Sequence, residues 1–213
     1  MALAQPVRRG QPAPGYLALG DSYTIGESVG SDERYPVQAM QGSGIAGVPD
    51  IIATTGWTTG DLLQALARKK RATGYRVVSL LIGVNNQYQG RSRDEYRDQF
   101  SSLLKAAIAL AGDRPGHVIV LSIPDYSVTP FARARGLDTA LIAAQIDSFN
   151  LVNHLLALQY GVNYLDVTGE SRKAVGDASL LAADGLHFSG KEYAIWAQMM
   201  VPVIKRITTS SQK

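Results

Sequence analysis

One stretch of this sequence decides the fold: Arg76-Val77-Val78-Ser79-Leu80-Leu81-Ile82, followed directly by Gly83. The run is apolar almost throughout and lacks the polar and apolar alternation of a strand that has one face in water. A continuous apolar run is typical of a strand covered on both faces of a parallel sheet. Comparable shorter runs lie at Tyr16–Leu19, Asp50–Ala53, His117–Ile123 and Val162–Val167.

Longer segments with apolar residues at steps of three and four follow these runs, which predicts amphipathic helices. They are Asp61–Arg71, Asp94–Ala111, Leu141–Leu158 and Gly190–Arg206. The alternation of strand and helix, repeated about five times, predicts a three-layer α/β/α protein with a doubly wound, parallel, five-stranded sheet. Ligands of such sheets bind beyond the carboxyl ends of the strands, so we expect the chemistry in the segments that follow each strand.

The composition fits one globular domain and argues against several classes of partner. The chain has 213 residues, of which 46% are hydrophobic and 18% are charged, and a formal net charge of +3. Such a charge is too small to indicate binding to nucleic acid or to an anionic membrane surface. The absence of cysteine excludes disulfides, thiolate zinc sites and a cysteine nucleophile. No apolar run approaches the ~18–20 residues that cross a bilayer, so we expect no integral membrane segment.

The two ends of the chain differ in composition from the middle. Proline, glycine and arginine dominate residues 1–15, which predicts a flexible leader. We expect the folded domain to span residues 16–207 and a C-terminal tail to occupy 208–213. The apolar run Ala2-Leu3-Ala4 is too short for a secretion signal. This favours a cytoplasmic protein, with a trimmed secreted form as the alternative; the oligomeric state is not predicted.

The segment after the first predicted strand reads Gly20-Asp21-Ser22-Tyr23. Glycine permits a tight turn at the end of a strand, and Ser22 would then lie at the start of the following helix. Asp21 is interpreted as a turn-stabilising residue, because such side chains readily accept hydrogen bonds from nearby backbone. Ser22 alone has two interpretations, a helix cap or a nucleophile.

A second candidate segment, Asp184-Gly185-Leu186-His187, precedes the last helix. A serine becomes a good nucleophile when a base takes its proton, and a carboxylate improves that base by orienting its imidazole. Asp184 lies three residues before His187, close enough to reach the imidazole within one loop. The other two histidines, His117 on a strand and His154 on a helix, are interpreted as packing residues. His187 has a structural alternative as well, as a residue that caps or packs at the start of the last helix.

Two further strand ends carry hydrogen-bond donors. Gly56 follows the second predicted strand, and Asn85 follows the third. Acyl transfer through a tetrahedral intermediate requires donors aimed at the developing oxyanion, and a glycine N–H and an asparagine amide both qualify. Each segment alone is typical of an ordinary turn. Their combination with Ser22, Asp184 and His187 at one sheet edge favours a catalytic site.

Four segments together resemble the SGNH hydrolases, also called GDSL esterases and lipases. They are Leu19-Gly20-Asp21-Ser22, Thr55-Gly56, Gly83-Val84-Asn85 and Asp184-Gly185-Leu186-His187, which occur in the order of the family's blocks. The resemblance implies a flavodoxin-like sheet order and a site without metal or organic cofactor. Two positions depart from the family pattern, with Tyr23 in place of its usual leucine and Asn86 in place of its usual aspartate.

The resemblance also implies roles for individual residues. Ser22 would be the nucleophile, His187 the general base and acid, and Asp184 the carboxylate that orients His187. The oxyanion hole would consist of the backbone N–H groups of Ser22 and Gly56 and the side chain of Asn85. The implied function is a serine esterase that hydrolyses small-molecule carboxylic esters through an acyl-enzyme.

The substrate is less constrained than the chemistry. No long apolar insertion resembles a lipase lid, which favours short acyl groups, and Trp57, Tyr126 and Phe131 are candidates for the walls of the substrate pocket. The family leaves open carbohydrate O-deacetylation, thioester or lysophospholipid hydrolysis and acyl transfer with the same triad. A non-catalytic binding module on this fold is a further alternative. Nucleotide binding is disfavoured because no glycine-rich phosphate motif can be written through Gly20 and Gly26, and the Gly-x-Ser-x-Gly elbow of α/β-hydrolases is absent around Ser22.

Overall fold

The computed structural model of the chain describes residues 15–68 and 72–210. The leader expected at residues 1–15 therefore lies outside the described part, apart from Gly15. The family of elements described below is confined to these two ranges.

Five parallel strands in the described residues form one sheet with the order β2-β1-β3-β4-β5. This order confirms the doubly wound, flavodoxin-like sheet. The register places Gly20, the last residue of β1, opposite Ala53 of β2 and Leu81 of β3, so these strands end level with one another. The strands are β1 (Tyr16–Gly20), β2 (Asp50–Ala53), β3 (Val77–Leu81), β4 (Val118–Leu121) and β5 (Asn163–Leu165).

The helices pack in two groups, with α2 against α9 and α5 against both α3 and α7. They are α1 (Ser22–Ile25), α2 (Tyr35–Ser43), α3 (Thr59–Arg68), α4 (Val84–Tyr88), α5 (Arg93–Leu110), α6 (Pro130–Ala134), α7 (Thr139–Tyr160), α8 (Thr168–Ser171) and α9 (Gly190–Ser210). Short 3₁₀ helices lie at Pro115–His117, Tyr126–Val128, Arg172–Val175 and Ala178–Leu180. The helices predicted from periodicity correspond to α3, α5, α7 and α9. Residues 69–71, included in the first of those predictions, lie outside the described residues.

The sequence did not predict α2. Its N-cap is Arg34, whose side chain forms no capping hydrogen bond, and Pro36 stands at its start. Proline suits the first turn of a helix, but this segment lacks the polar cap that marks a helix start in a sequence. The helix is held instead by packing against α9, where the buried rings of Tyr35 and Trp196 lie 6.0 Å apart.

The last helix continues past the expected end of the domain. α9 runs to Ser210, so the tail expected at 208–213 begins inside a helix, and residues 211–213 lie outside the described part. The hydroxyl groups of Thr208 and Thr209 donate to the Lys205 carbonyl at 3.1 and 2.8 Å, which suits both threonines to the last turn. The sequence prediction ended this helix one turn too early.

The central strands are buried along their full length, as their continuous apolar sequences predicted. All residues of β1, β3 and β4 are buried. The one polar side chain in this layer, Ser79, accepts a hydrogen bond from the Tyr16 hydroxyl at 2.8 Å. The edge strand β5 is only half-buried.

One helix within the described ranges, α7, is long and apolar enough by length and composition to cross a membrane. It has 22 residues, and its most apolar window has a mean hydropathy of 1.2. In the fold this helix packs against α5 and β5 and buries Ile146 and Phe149. A core helix satisfies the same criterion, so the finding is weak evidence for a membrane span.

Candidate active site

Ser22 is the first residue of α1, immediately beyond the carboxyl end of β1. The turn requires glycine at position 20, because a Cβ there would collide with the Thr24 hydroxyl and the Leu81 carbonyl. Asp21 caps the helix, with its Oδ1 accepting from the Tyr23 N–H at 3.1 Å, in agreement with its expected role in the turn. The N–H groups of a first helical turn have no acceptor within the helix, so the N–H of Ser22 can serve a ligand.

The Asp184 carboxylate organises the loop that carries His187. Its Oδ1 accepts from the backbone N–H groups of Leu186 and His187, both at 2.9 Å. Its Oδ2 lies 2.6 Å from Nδ1 of His187. Since an ionised carboxylate only accepts hydrogen bonds, Nδ1 carries the proton in the neutral imidazole and Nε2 becomes the proton acceptor.

Asp184 is strongly biased toward its charged form. Burial opposes its ionisation, but hydrogen bonds from the Ser28 hydroxyl, the His187 imidazole and two backbone N–H groups outweigh this effect. Together they hold the pKa of Asp184 well below its usual range. The carboxylate therefore stays negative beside the imidazole at any pH where the protein would work.

Gly56 and Asn85 face the same cavity as Ser22. Gly56 lies in the turn after β2 at a φ of 83°, a left-handed conformation that favours glycine. Asn85 lies in α4, directly after β3, and its Nδ2 donates to the Trp57 carbonyl at 2.9 Å. An amide nitrogen has two hydrogens, so Asn85 retains a second donor beyond the one used by Trp57.

The cavity that these residues share encloses about 170 Å³ and has a mainly apolar wall. Tyr126 and Phe131 line it, as the sequence predicted. Trp57, the third predicted wall residue, is not part of the lining; its side chain packs against the core, and its backbone carbonyl holds Asn85 instead. The full lining is Ser22, Tyr23, Thr55, Gly56, Val84, Asn85, Tyr88, Tyr126, Phe131, Leu186 and His187.

Three aromatic rings form one side of the cavity. Tyr88 lies 6.1 Å from Tyr126 and 6.4 Å from Phe131, and the latter two rings are 6.5 Å apart. The Arg135 guanidinium lies 3.8 Å above the Phe131 ring. Sequence reasoning missed Tyr88, although its position three residues after Asn85 on a helix indicates a shared face.

The two departures from the family pattern have separate structural roles. The Tyr23 ring is buried and meets the His187 ring edge-on, with 5.7 Å between the centroids. Asn86 is 1% exposed and binds Thr59 twice. Its Oδ1 accepts from the Thr59 N–H at 3.0 Å, and its Nδ2 donates to the Thr59 hydroxyl at 2.7 Å. Tyr23 therefore shapes the catalytic wall, whereas Asn86 attaches α4 to the start of α3.

The remaining histidines lie away from this cavity. His117 Nδ1 bonds with the Arg76 carbonyl at 2.8 Å, and His154 is exposed and stacks on Tyr164 with 4.7 Å between the rings. Neither lines the cavity that contains Ser22. His154 covers an edge of the fold rather than packing inside it, while His117 joins two strand starts.

Solved structures of similar proteins share this architecture over nearly their whole length. Phospholipase A1 from Streptomyces albidoflavus NA297 has a TM-score of 0.68 at 22% identity, covering 92% of this chain and 99% of that chain. A GDSL-like lipase from Bacteroides thetaiotaomicron VPI-5482 has a TM-score of 0.69 at 18% identity, with 96% and 92% covered. A lipase/acylhydrolase from Enterococcus faecalis has a TM-score of 0.66 at 21% identity, with 91% and 96% covered. At these identities the likeness shows a common fold.

The sequence itself identifies the family. A comparison with curated protein sequences gives no significant match. Residues 18–195 match the sequence profile of the GDSL-like Lipase/Acylhydrolase family, a range that begins before Ser22 and ends beyond His187. Most of the chain is therefore covered by one profile, and the protein belongs to the GDSL-like lipase/acylhydrolase family, the SGNH hydrolases.

Proposed function

We propose that this protein is a serine esterase that hydrolyses small carboxylic esters with short acyl groups. The observation that carries the proposal is the meeting of Ser22, His187, Gly56 and Asn85 around one apolar cavity, with Asp184 bonded to the far side of the imidazole. These residues come from four separated segments of the chain. Their convergence is expected for an acyl-transfer site and is not required by the packing of the sheet.

The reaction would proceed in two halves. His187 Nε2 takes the proton of the Ser22 hydroxyl as the Ser22 oxygen attacks the ester carbonyl, and the same imidazole then protonates the departing alcohol. The acyl group remains bonded to the Ser22 oxygen. A water molecule that loses its proton to His187 attacks this acyl-enzyme and releases the acid. Asp184 stays ionised and stabilises the imidazolium that forms in each half.

The oxyanion would be bound by three donors that face the cavity. The N–H groups of Ser22 and Gly56 and the side-chain amide of Asn85 come from the ends of β1, β2 and β3. Rigid placement matters, because such donors stabilise the transition state without reorganising during the reaction. The Trp57 carbonyl fixes the orientation of the Asn85 amide, and the left-handed turn at Gly56 fixes the direction of its N–H.

The size and character of the cavity support short acyl groups. A volume of about 170 Å³ is below the roughly 300–1,000 Å³ of pockets that hold drug-sized ligands. The rings of Tyr88, Tyr126 and Phe131 and the side chain of Leu186 give it an apolar surface suited to an alkyl group. A long acyl chain would have to leave this cavity and lie across the surface.

The deciding experiment is hydrolysis of a p-nitrophenyl ester series, from acetate to palmitate, by wild type and Ser22→Ala. Activity that peaks at short chains in wild type and disappears in the variant supports the proposal. A fluorophosphonate probe provides a second test, since it should label Ser22 in wild type and leave Ser22→Ala unlabelled. Absence of both hydrolysis and labelling in the folded protein would favour a binding module instead. An optimum at long chains would contradict the short-acyl specificity alone.

A further inference from the structure

The structure points to an additional residue that positions the catalytic pair. The turn Gly26-Glu27-Ser28, which follows α1, connects three separate parts of the candidate site. The Glu27 N–H donates to the carbonyl of Ser22 at 3.0 Å. The Glu27 carboxylate accepts a hydrogen bond from the Thr55 hydroxyl, next to Gly56. The Ser28 hydroxyl donates to Asp184 Oδ2 at 2.6 Å.

The bond from Ser28 completes the hydrogen bonding of Asp184. Three of the four bonds to this carboxylate come from its own loop: from the N–H groups of Leu186 and His187 and from the His187 ring. Those bonds hold the carboxylate and the imidazole together but do not fix the loop relative to Ser22. The bond from Ser28 is the one that ties Asp184 to the segment carrying the nucleophile.

The backbone of Ser28 is held in an unfavourable conformation. Its φ is 66°, and within residues 15–68 and 72–210 the one other non-glycine residue at positive φ is Asp113, at 58°. Aspartate tolerates this region better than most residues, whereas serine has no such preference. A residue held in a sparsely populated conformation persists only where its surroundings impose it, and such residues concentrate at functional sites.

We propose that Ser28 is a positioning residue: its hydroxyl fixes the Asp184–His187 loop relative to Ser22, and the turn's strained backbone is retained because it directs that hydroxyl at the carboxylate. This inference rests on the proposed function, because it assigns Ser28 a task in the same catalytic site. It goes further by naming a residue outside the triad whose loss should reduce the chemical step while leaving substrate binding intact.

The test compares Ser28→Gly with wild type. Glycine adopts the same backbone without strain and removes only the hydroxyl. A bond to a charged acceptor is strong, but Ser28 is exposed and water can partly replace it, so kcat should fall about five- to tenfold with KM nearly unchanged. Asp113→Gly is the matched control, since it relieves the same kind of backbone strain away from the site and should leave kcat unchanged. Equal kcat in Ser28→Gly and wild type would overturn the proposal.

A double-variant comparison separates positioning from a general structural effect. In an Asp184→Ala background the Ser28 hydroxyl has lost its acceptor, so adding Ser28→Gly should cause no further loss of kcat. A full additional five- to tenfold loss in that background would show that Ser28 acts through the fold instead.

A third measurement does not depend on activity. Without the bond from Ser28, the Asp184 charge is less dispersed and stabilises the protonated imidazole more, so the NMR titration of His187 should move to higher pH in Ser28→Gly. Other titratable groups near the pair are Tyr23 and Tyr193, whose pKa values burial raises well above 10, and Glu27, which is bonded to Thr55. An unchanged titration would contradict the inference. Lack of ester hydrolysis and of probe labelling in wild type would contradict the proposed function and leave this titration as the test of Ser28.

Discussion

Asn85 donates its side-chain amide to the backbone carbonyl of Trp57 at 2.9 Å, and this bond crosses over the strand that leads to the nucleophile. Trp57 follows β2 and Asn85 follows β3, and β1 lies between these two strands in the sheet. The bond therefore fixes two of the expected oxyanion donors, Gly56 and Asn85, on opposite sides of Ser22. Rigid donors on both sides are what an oxyanion requires, so the predictions begin with this pair.

Asn85→Ala should lower kcat by about 10²–10³ and change KM little, the scale observed when one oxyanion donor is removed from a hydrolase. The amide would act mainly on the tetrahedral intermediate, so its loss raises the barrier without weakening the ground-state complex. The measurement is steady-state hydrolysis of a short p-nitrophenyl ester. Asn163→Ala, a variant at the start of β5 and at the opposite end of the sheet, serves as the control. A wild-type kcat in Asn85→Ala would remove Asn85 from the mechanism.

Phe131→Ala should move the preference toward longer acyl chains, because removing one ring of the wall formed with Tyr88 and Tyr126 enlarges the cavity. The ratio of kcat/KM for an octanoate ester over a butyrate ester should rise about tenfold, the order expected for a few methylene contacts. Trp57→Ala provides the comparison, since that side chain lies outside the lining and its removal should leave the ratio unchanged. A ratio that rises equally in both variants would show that the rings only cover the end of the sheet.

Asn86→Ala should destabilise the protein by about 2–3 kcal/mol, because it leaves the buried N–H and hydroxyl of Thr59 without their partner. Asn86→Asp should cost less, since its carboxylate still accepts from the Thr59 N–H. Urea unfolding of both variants, with the exposed Gln89→Ala as the control on the same segment, measures the difference. If Asn86→Ala unfolded at the wild-type urea concentration, the proposed attachment of α4 to α3 would carry no stability.

The main features of the fold and the site were predictable because each depends on short-range sequence. The strands β1, β3 and β4 are continuous apolar runs, and burial on both faces alone explains such runs. Ser22, Asp184 and His187 lie in short segments whose residue types suit acyl transfer. Since level strand ends bring these segments to one edge, the sheet prediction implied that they would meet. The structure brings Ser22 and His187 to one cavity in agreement with that reasoning.

The features that were missed depend on contacts between distant parts of the chain. Ser28 and Asp184 are 156 residues apart, and a serine in a turn has no sequence signal for such a bond. The helix α2 lacks a polar cap and is stabilised by packing on α9, which periodicity cannot detect. Trp57 follows β2 as predicted, but the direction of its side chain depends on how the turn from Thr54 to Trp57 closes.

Asp21 predicts an unusual dependence of stability on pH. Its side chain is 0% exposed, its Oδ2 has no hydrogen-bond partner among the described residues, and burial raises its pKa to about 7. In the unfolded chain the pKa of an aspartate is about 3.9. Between these two values the folded state holds a proton that the unfolded state has lost, so this group makes stability fall as pH rises from about 4 to about 7.

Asp21→Asn should remove that dependence, because an amide does not titrate while its Oδ1 can still accept from the Tyr23 N–H. The free energy of unfolding of the variant relative to wild type should become more favourable by about 2–3 kcal/mol between pH 5 and pH 8. The comparison uses the change with pH rather than the absolute stability, since the new amide nitrogen adds a constant cost at every pH. Asp113→Asn, an exposed aspartate, is the control for surface charge. A difference between Asp21→Asn and wild type that stays constant from pH 5 to pH 8 would mean that Asp21 ionises in the folded protein as it does in water.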